Sequence, residues 1–93
     1  MLEAKSRIEL NPEVIHRNLS EGSVLLHGRS GQYHGLNELG TLIWEYLERS
    51  GPVDLSDLLE AVAGAVVDAP PDVETDVCDF VQALSERDLV VIG

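Results

Sequence analysis

An α+β fold, with a three-stranded antiparallel meander ahead of three helices, is predicted by three features of this 93-residue chain. Its first third holds short segments of period-two alternation separated by glycine-containing turns, and the remainder repeats apolar residues at helical spacing. The breakers Gly51-Pro52 and "DAPPD" (68–72) cut that helical remainder into three pieces.

The strands are "EVIHRNL" (13–19), "SVLLHG" (23–28) and "QYHGL" (32–36), joined by "SEG" (20–22) and "GRSG" (28–31), both of which have hairpin chemistry. With Glu21 and Gly22 in the first turn, Leu19 lies opposite Val24 and Arg17 opposite Leu26. With Arg29 and Ser30 in the second, Leu26 lies opposite Tyr33. Alternation then assigns Ile15, Leu19, Val24, Leu26 and Tyr33 to the face that the helices cover, and His16, Asn18, His27, Gln32 and His34 to the other. Arg17 is the exception on the covered face. An earlier segment, "SRIEL" (6–10), is either a fourth short strand or an ordered arm, ended by Asn11-Pro12.

The first helix runs from Glu38 to about Arg49, capped by Asn37, with Leu39, Leu42, Ile43, Tyr46 and Leu47 as its stripe and Trp44 off it. The second starts at the N-cap candidate Asp54, places Asp57 in its first turn, and repeats Leu55, Leu58, Leu59, Val62 and Val66. The third spans about Pro71 to Arg87, with Val73, Val77, Phe80, Val81 and Leu84 on one face. Asp72, Glu74, Asp76 and Asp79 crowd its first half, where the helix dipole favours negative charge. A terminal "DLVVI" adds a further short extended segment. The whole reads as one domain, 1–93, divided into 1–13 (arm or extra strand), 14–36 (sheet) and 37–92 (helices and a closing extended segment).

Composition excludes several functions. Ninety-three residues favour a binding module over a complete enzyme with its own buried site. Seventeen acidic residues against six Lys and Arg give a net charge of −11, which repels a phosphate backbone and suits a basic peptide or protein segment. Nucleic acid is therefore not an expected partner. "MLEAKSRIEL" lacks the apolar stretch of a signal peptide, and no run reaches the ~18 apolar residues of a membrane span, so the expected location is the cytoplasm, off the membrane. Cys78 has no second cysteine to pair with and sits among carboxylates that raise a thiol pKa. His16 and His27, opposite one another in the proposed register, lack a third ligand for zinc and read as surface residues. "GRSG" lacks the lysine and the following helix of a phosphate-binding loop. No catalytic residue, metal site or cofactor is expected.

A small antiparallel sheet beside three helices is the outline of a winged helix-turn-helix. The residue order "YHGLNELGTLIWEYL", a Gly-Pro break, "VDLSDLLEAV" and "DVETDVCDFVQALSERDLV" resembles the family of the PQQ-synthesis protein D. The resemblance covers 14–92 and is carried by Leu36-Asn37, Ile43-Trp44, Asp76-Val77 with Phe80-Val81, Leu84 and Leu89-Val90. It implies a peptide-recognition domain, or RiPP recognition element, of the kind that serves ribosomally made and modified peptides. In size the chain most resembles the free-standing recognition protein of a split lasso-peptide system. The resemblance further implies that a precursor's leader binds as an added strand along the third strand, in a cleft lined by the third helix. The leader is then presented to a separate leader peptidase and an ATP-dependent cyclase.

The residues themselves are compatible with this reading. Gly35 permits close backbone approach, and the "QYHGL" edge has neither the Lys nor the Pro that usually blunts an exposed strand. The expected contacts are Gln32, Tyr33, His34, Gly35 and Leu36 on the strand, Leu26 beside them, and Val77, Phe80, Val81 and Leu84 on the helix. Asp76 and Asp79 are expected to attract a basic leader. The opposing possibilities are that 6–10 or "LVVI" covers the edge, that the apolar residues are core, and that the carboxylates form a solvated face. Two rival functions fare worse. An acidic carrier protein needs Asp-Ser-Leu, whereas the chain reads Asp54-Leu55-Ser56-Asp57-Leu58, and a DNA-binding winged helix would thrust four carboxylates into the groove.

Overall fold

The computed structural model describes residues 3–65 and 72–93; Val66 and the expected helix start at Pro71 lie outside them. Along the chain run β1 (Arg7–Leu10), β2 (Val14–Leu19), β3 (Gly22–His27), β4 (Tyr33–Leu36), α1 (Glu38–Ser50), β5 (Val53–Asp54), α2 (Leu55–Ala65), α3 (Val73–Glu86) and β6 (Val90–Ile92). The strands form two antiparallel sheets, a meander ordered β2-β3-β4 and a second sheet ordered β5-β1-β6. Segment 6–10 thus supplies a strand, β1, and its neighbours are β5 and β6 rather than the meander.

The first hairpin turns one residue earlier than expected, which shifts each cross-strand partner by two. Leu19 pairs with Gly22 and Arg17 with Val24, leaving Ser20 and Glu21 as the turn. Gly22 is inside β3 because its φ of 104° suits glycine and because a side chain there would collide with the Leu36 carbonyl. The second hairpin has the expected register, with Leu26 opposite Tyr33.

A shift of two residues leaves the alternation intact, yet the faces are the reverse of those expected. Ser23, Leu25, His27 and Leu36 are buried against the helices, whereas Ile15, Leu19 and Tyr33 are 48%, 60% and 70% exposed on the far side. Both faces carry aliphatic residues, so hydrophobicity alone did not distinguish them. Two terms decide. Arg17 stays in water only with the outer face turned to solvent, and Ser23, His16 and His27 of the inner face each find a partner there, although the buried His16 Nε2 has none among the described residues. Ser23 and Thr41 share a hydroxyl hydrogen bond of 2.7 Å, His16 Nδ1 lies 3.2 Å from Glu48 Oε1, and His27 Nε2 lies 3.2 Å from Asp88 Oδ2. The expected surface histidines are therefore inside, and His16 pairs across the sheet with Leu25 rather than with His27.

Helix α1 is rotated relative to the expected stripe. Gly40, Ile43, Trp44 and Leu47 are its buried line, and Leu39, Leu42 and Tyr46 flank it half-buried. Trp44, 1% exposed, is central because α1 is packed against the sheet on one side and α2 on another, burying a wider arc than a single-stripe helix does. Asn37 caps the helix as expected, its side chain accepting from the Gly40 N–H at 2.8 Å. Asp54, by contrast, belongs to β5 and pairs with Arg7. The first amides of α2 donate instead to main-chain oxygens of the N-terminal segment, Leu55 N–H to Ser6 and Ser56 N–H to Ala4.

Candidate functional site

Hydrogen-bond alternation determines which main-chain groups of the meander are free. The His27 N–H donates to the Gln32 carbonyl at 3.0 Å, so in an antiparallel ladder the bonded pairs continue through Leu25–His34 and Ser23–Leu36. The intervening residues, Tyr33 and Gly35, therefore direct their N–H and C=O groups away from β3, toward the edge of the sheet. No described strand lies beyond β4. Both segments that the sequence offered as covers, β1 and β6, are paired with each other through Ile8–Ile92, Glu9–Val91 and Leu10–Val90.

Helix α3 comes near this part of the meander at two points, Phe80 against Gly40 and the C-cap residue Arg87 beside β4. Val77, Val81 and Leu84 are fully buried core residues, and Leu36 is 5% exposed, so these four expected contacts present no free side-chain surface. Leu26 and Tyr33 share the outer face with Ile15, although Tyr33 also borders the depression at Arg87. The half-buried Phe80 does reach the edge region. Its ring packs on Gly40 in the first turn of α1, so closely that a β-carbon there would sit 3.0 Å from it. Seven residues on, along the same stripe, Arg87 joins Gln32, Tyr33, His34 and Leu89 around a shallow depression beside β4. Asp76 and Asp79 are exposed on the earlier turns. A β-carbon at Gly35 would meet nothing within 4 Å, so the glycine leaves open space on the outer face rather than relieving an internal clash.

Sequence reasoning missed Arg87, which looked like an ordinary helix end. The available signal was that it is one of only six basic side chains in a strongly acidic chain and follows the stripe containing Phe80 by two turns. Its charge is felt in the site. The His34 imidazole is held below its ordinary pKa of 6.5, first by burial and then by the Arg87 guanidinium. Cys78 on α3 has the opposite tendency: burial, followed by Asp79 and Glu74, pushes its thiol above the usual 9.0, which disfavours a nucleophilic thiolate.

His27 joins the end of the meander to the α3–β6 turn. Its Nδ1 accepts from the Arg29 and Ser30 N–H groups at 3.2 and 3.3 Å, which leaves Nε2 as the N–H that donates to Asp88. Asp88 has a φ of 61°, a conformation that Asp tolerates, and its carbonyl accepts from Asn11 Nδ2 at 2.7 Å. Among the described residues, no group of three or more His, Cys, Asp or Glu side chains is arranged to hold a metal ion. No helix among them is long and apolar enough to cross a membrane.

Residues 22–90 match the family described as coenzyme PQQ synthesis protein D, PqqD. No curated protein sequence matches the chain. Two solved structures are similar in fold and in sequence. One, described as TbiB1 in complex with the TbiA(beta) leader peptide, is 29% identical with a TM-score of 0.74, over 88% of this chain and 93% of that one. The other, a lasso peptide synthetase B1 complexed with the leader peptide, is 28% identical with a TM-score of 0.72, over 90% of this chain and 96% of that one.

Proposed function

Because this chain belongs to the coenzyme PQQ synthesis protein D family, we propose that it is a non-catalytic recognition element that binds the leader segment of a ribosomally made precursor peptide. The observation that carries the proposal is the β4 edge, where the N–H and C=O groups of Tyr33 and Gly35 point outward beside α3. An extended leader would dock there as a fourth strand of the meander, antiparallel to β4, its main chain supplying affinity and its alternate side chains specificity. The leader complexes of the two structurally similar proteins support this reading and the assignment to lasso-peptide biosynthesis. The bound precursor would then be presented in the cytoplasm to a separate leader peptidase and an ATP-dependent cyclase. A net charge of −11, with Asp76 and Asp79 exposed on α3, favours a leader that is basic overall.

Gly35→Pro is the direct test, since it removes an N–H that points to the open edge while leaving the β3–β4 hydrogen bonds in place. The φ of Gly35 is not among the positive values, so the residue is not held in a region that proline cannot approach. Titration of a fluorescent leader peptide should show at least a roughly tenfold loss of affinity in the variant, with an unchanged melting transition. Equal affinity in a folded variant would rule out docking on β4. Absence of binding to the unaltered protein would rule out leader recognition itself.

A further inference from the structure

We propose that Arg87 is a specificity residue of the β4 cleft, selecting a peptide with a carboxylate side chain at the strand position opposite His34. The inference rests on the strand-addition reading and adds to it a side-chain preference at a defined register.

The register follows from the pleat. In β4, His34 and Leu36 face the helices, whereas Tyr33 and Gly35 face out. In an added antiparallel strand, the residues opposite Leu36 and His34 point the same way as those two, toward α3, and the residue between them points outward with Gly35. Reading the peptide from its N-terminus, the first inward residue meets the half-buried ring of Phe80 beside Gly40. The second, about 7 Å further on, enters the depression lined by His34, Gln32 and Arg87. Two turns of α3 separate Phe80 from Arg87, about 10 Å, so the two sites on the helix step along the strand in the same order.

The chemistry of the second site follows from what surrounds Arg87. Among the described residues its guanidinium has no carboxylate partner, whereas Arg29 is paired with Glu13 at 3.2 Å. The adjacent Asp88 carboxylate is directed to the His27 Nε2–H at 3.2 Å and does not neutralise it. Burial and then Arg87 also lower the pKa of His34, which disfavours its charged form. An exposed guanidinium without a carboxylate partner, beside an imidazole whose protonation is disfavoured, favours an incoming carboxylate at this point of a molecule whose overall charge is −11. The preferred inward sequence is therefore an apolar residue, any residue, then Asp or Glu, within a leader that is basic elsewhere.

A phage library of random ten-residue peptides, selected separately on the unaltered protein and on Arg87→Glu, tests this. Selection on the unaltered protein should enrich Asp or Glu two positions after an apolar residue, and Arg87→Glu should replace that preference with Lys or Arg. The best selected peptide should lose about fivefold in affinity when its acidic residue becomes Asn or Gln. It should show the same loss on Arg87→Gln and a smaller one on Arg87→Lys, with no further loss when peptide and protein changes are combined. Enriched peptides without a fixed acidic position, or with the same acidic position on Arg87→Glu, would overturn the assignment of Arg87 and leave strand addition standing. If no peptide is enriched on the unaltered protein, both readings fall. The Arg87 side chain is exposed and only its main-chain N–H serves the end of α3, so these variants should melt as the unaltered protein does.

Discussion

The two sheets have the same number of strands and the same antiparallel sense, but they are built differently. The meander is local: β2, β3 and β4 follow one another through short turns, and its last strand is left with an open edge and an exposed outer face. The second sheet gathers β1, β5 and β6 from opposite parts of the chain, pairing Ile8 with both Val53 and Ile92. The difference teaches that an open edge depends on strands elsewhere. Had β1 or β6 lain along β4, the meander would be finished. By satisfying each other, the two distant segments fix the base of the molecule and leave the meander incomplete at the place where a peptide would complete it.

If the second sheet is chiefly structural and the first chiefly a docking platform, variants in the two should separate stability from binding. The largest effect should come from Ile8→Ala, which empties a fully buried site at the centre of the β5-β1-β6 sheet and should cost about 3 kcal/mol in urea denaturation. Peptide binding should fall only with the folded fraction. A loss below about 1 kcal/mol would show that the second sheet contributes little to the core. His27→Ala comes next. It breaks the bond from the meander to Asp88 and strands the Arg29 and Ser30 amides, for a cost of about 2 kcal/mol. If the sheets are coupled through this junction, hydrogen exchange should rise at both β4 and β6; a rise confined to one would show them to be independent.

The smallest effect is a pH dependence. His34 has a folded pKa below its unfolded value of 6.5, so between the two the unfolded chain holds more protons. Its contribution must therefore lower stability as pH falls below about 6.5 and vanish above it. Comparing denaturation of the unaltered protein and His34→Gln across pH 5 to 8 isolates this term, and parallel profiles would show that His34 is not held neutral.

Much of this architecture was legible because it is encoded locally. Asn37 capping α1, the Leu26–Tyr33 register, the Gly51-Pro52 break and the three helices each follow from a few adjacent residues. The pairing of β1 with β6 was not legible, since nothing local to "SRIEL" or "LVVI" names a partner more than eighty residues away. The sheet face was misread because the histidines were treated as solvent-facing, although His16 and His27 each had a partner on another element. Arg17 was the residue that contradicted the assignment, and one charge that cannot be buried outweighs several aliphatic residues that can remain exposed. At the candidate site, the strand that bears the edge was readable, but the division of α3 into core and cleft was not. Val77, Val81 and Leu84 lie within about 100° of Phe80 around the helix, and the packing of α3 against the core, rather than composition, sorts them.

An edge that recognises backbone also recognises its own kind. The outward N–H and C=O groups of Tyr33 and Gly35 offer a second copy of the protein the same ladder they offer a peptide, and no Pro or Lys in β4 forbids it. What separates two copies is their repulsion, −11 against −11, which acts before the edges meet. That repulsion has a range of about 10 Å at 0.1 M salt and about 3 Å at 1 M. The acidity of the chain would thus oppose pairing between two open sheet edges, and concentrated salt is the condition that would weaken this protection.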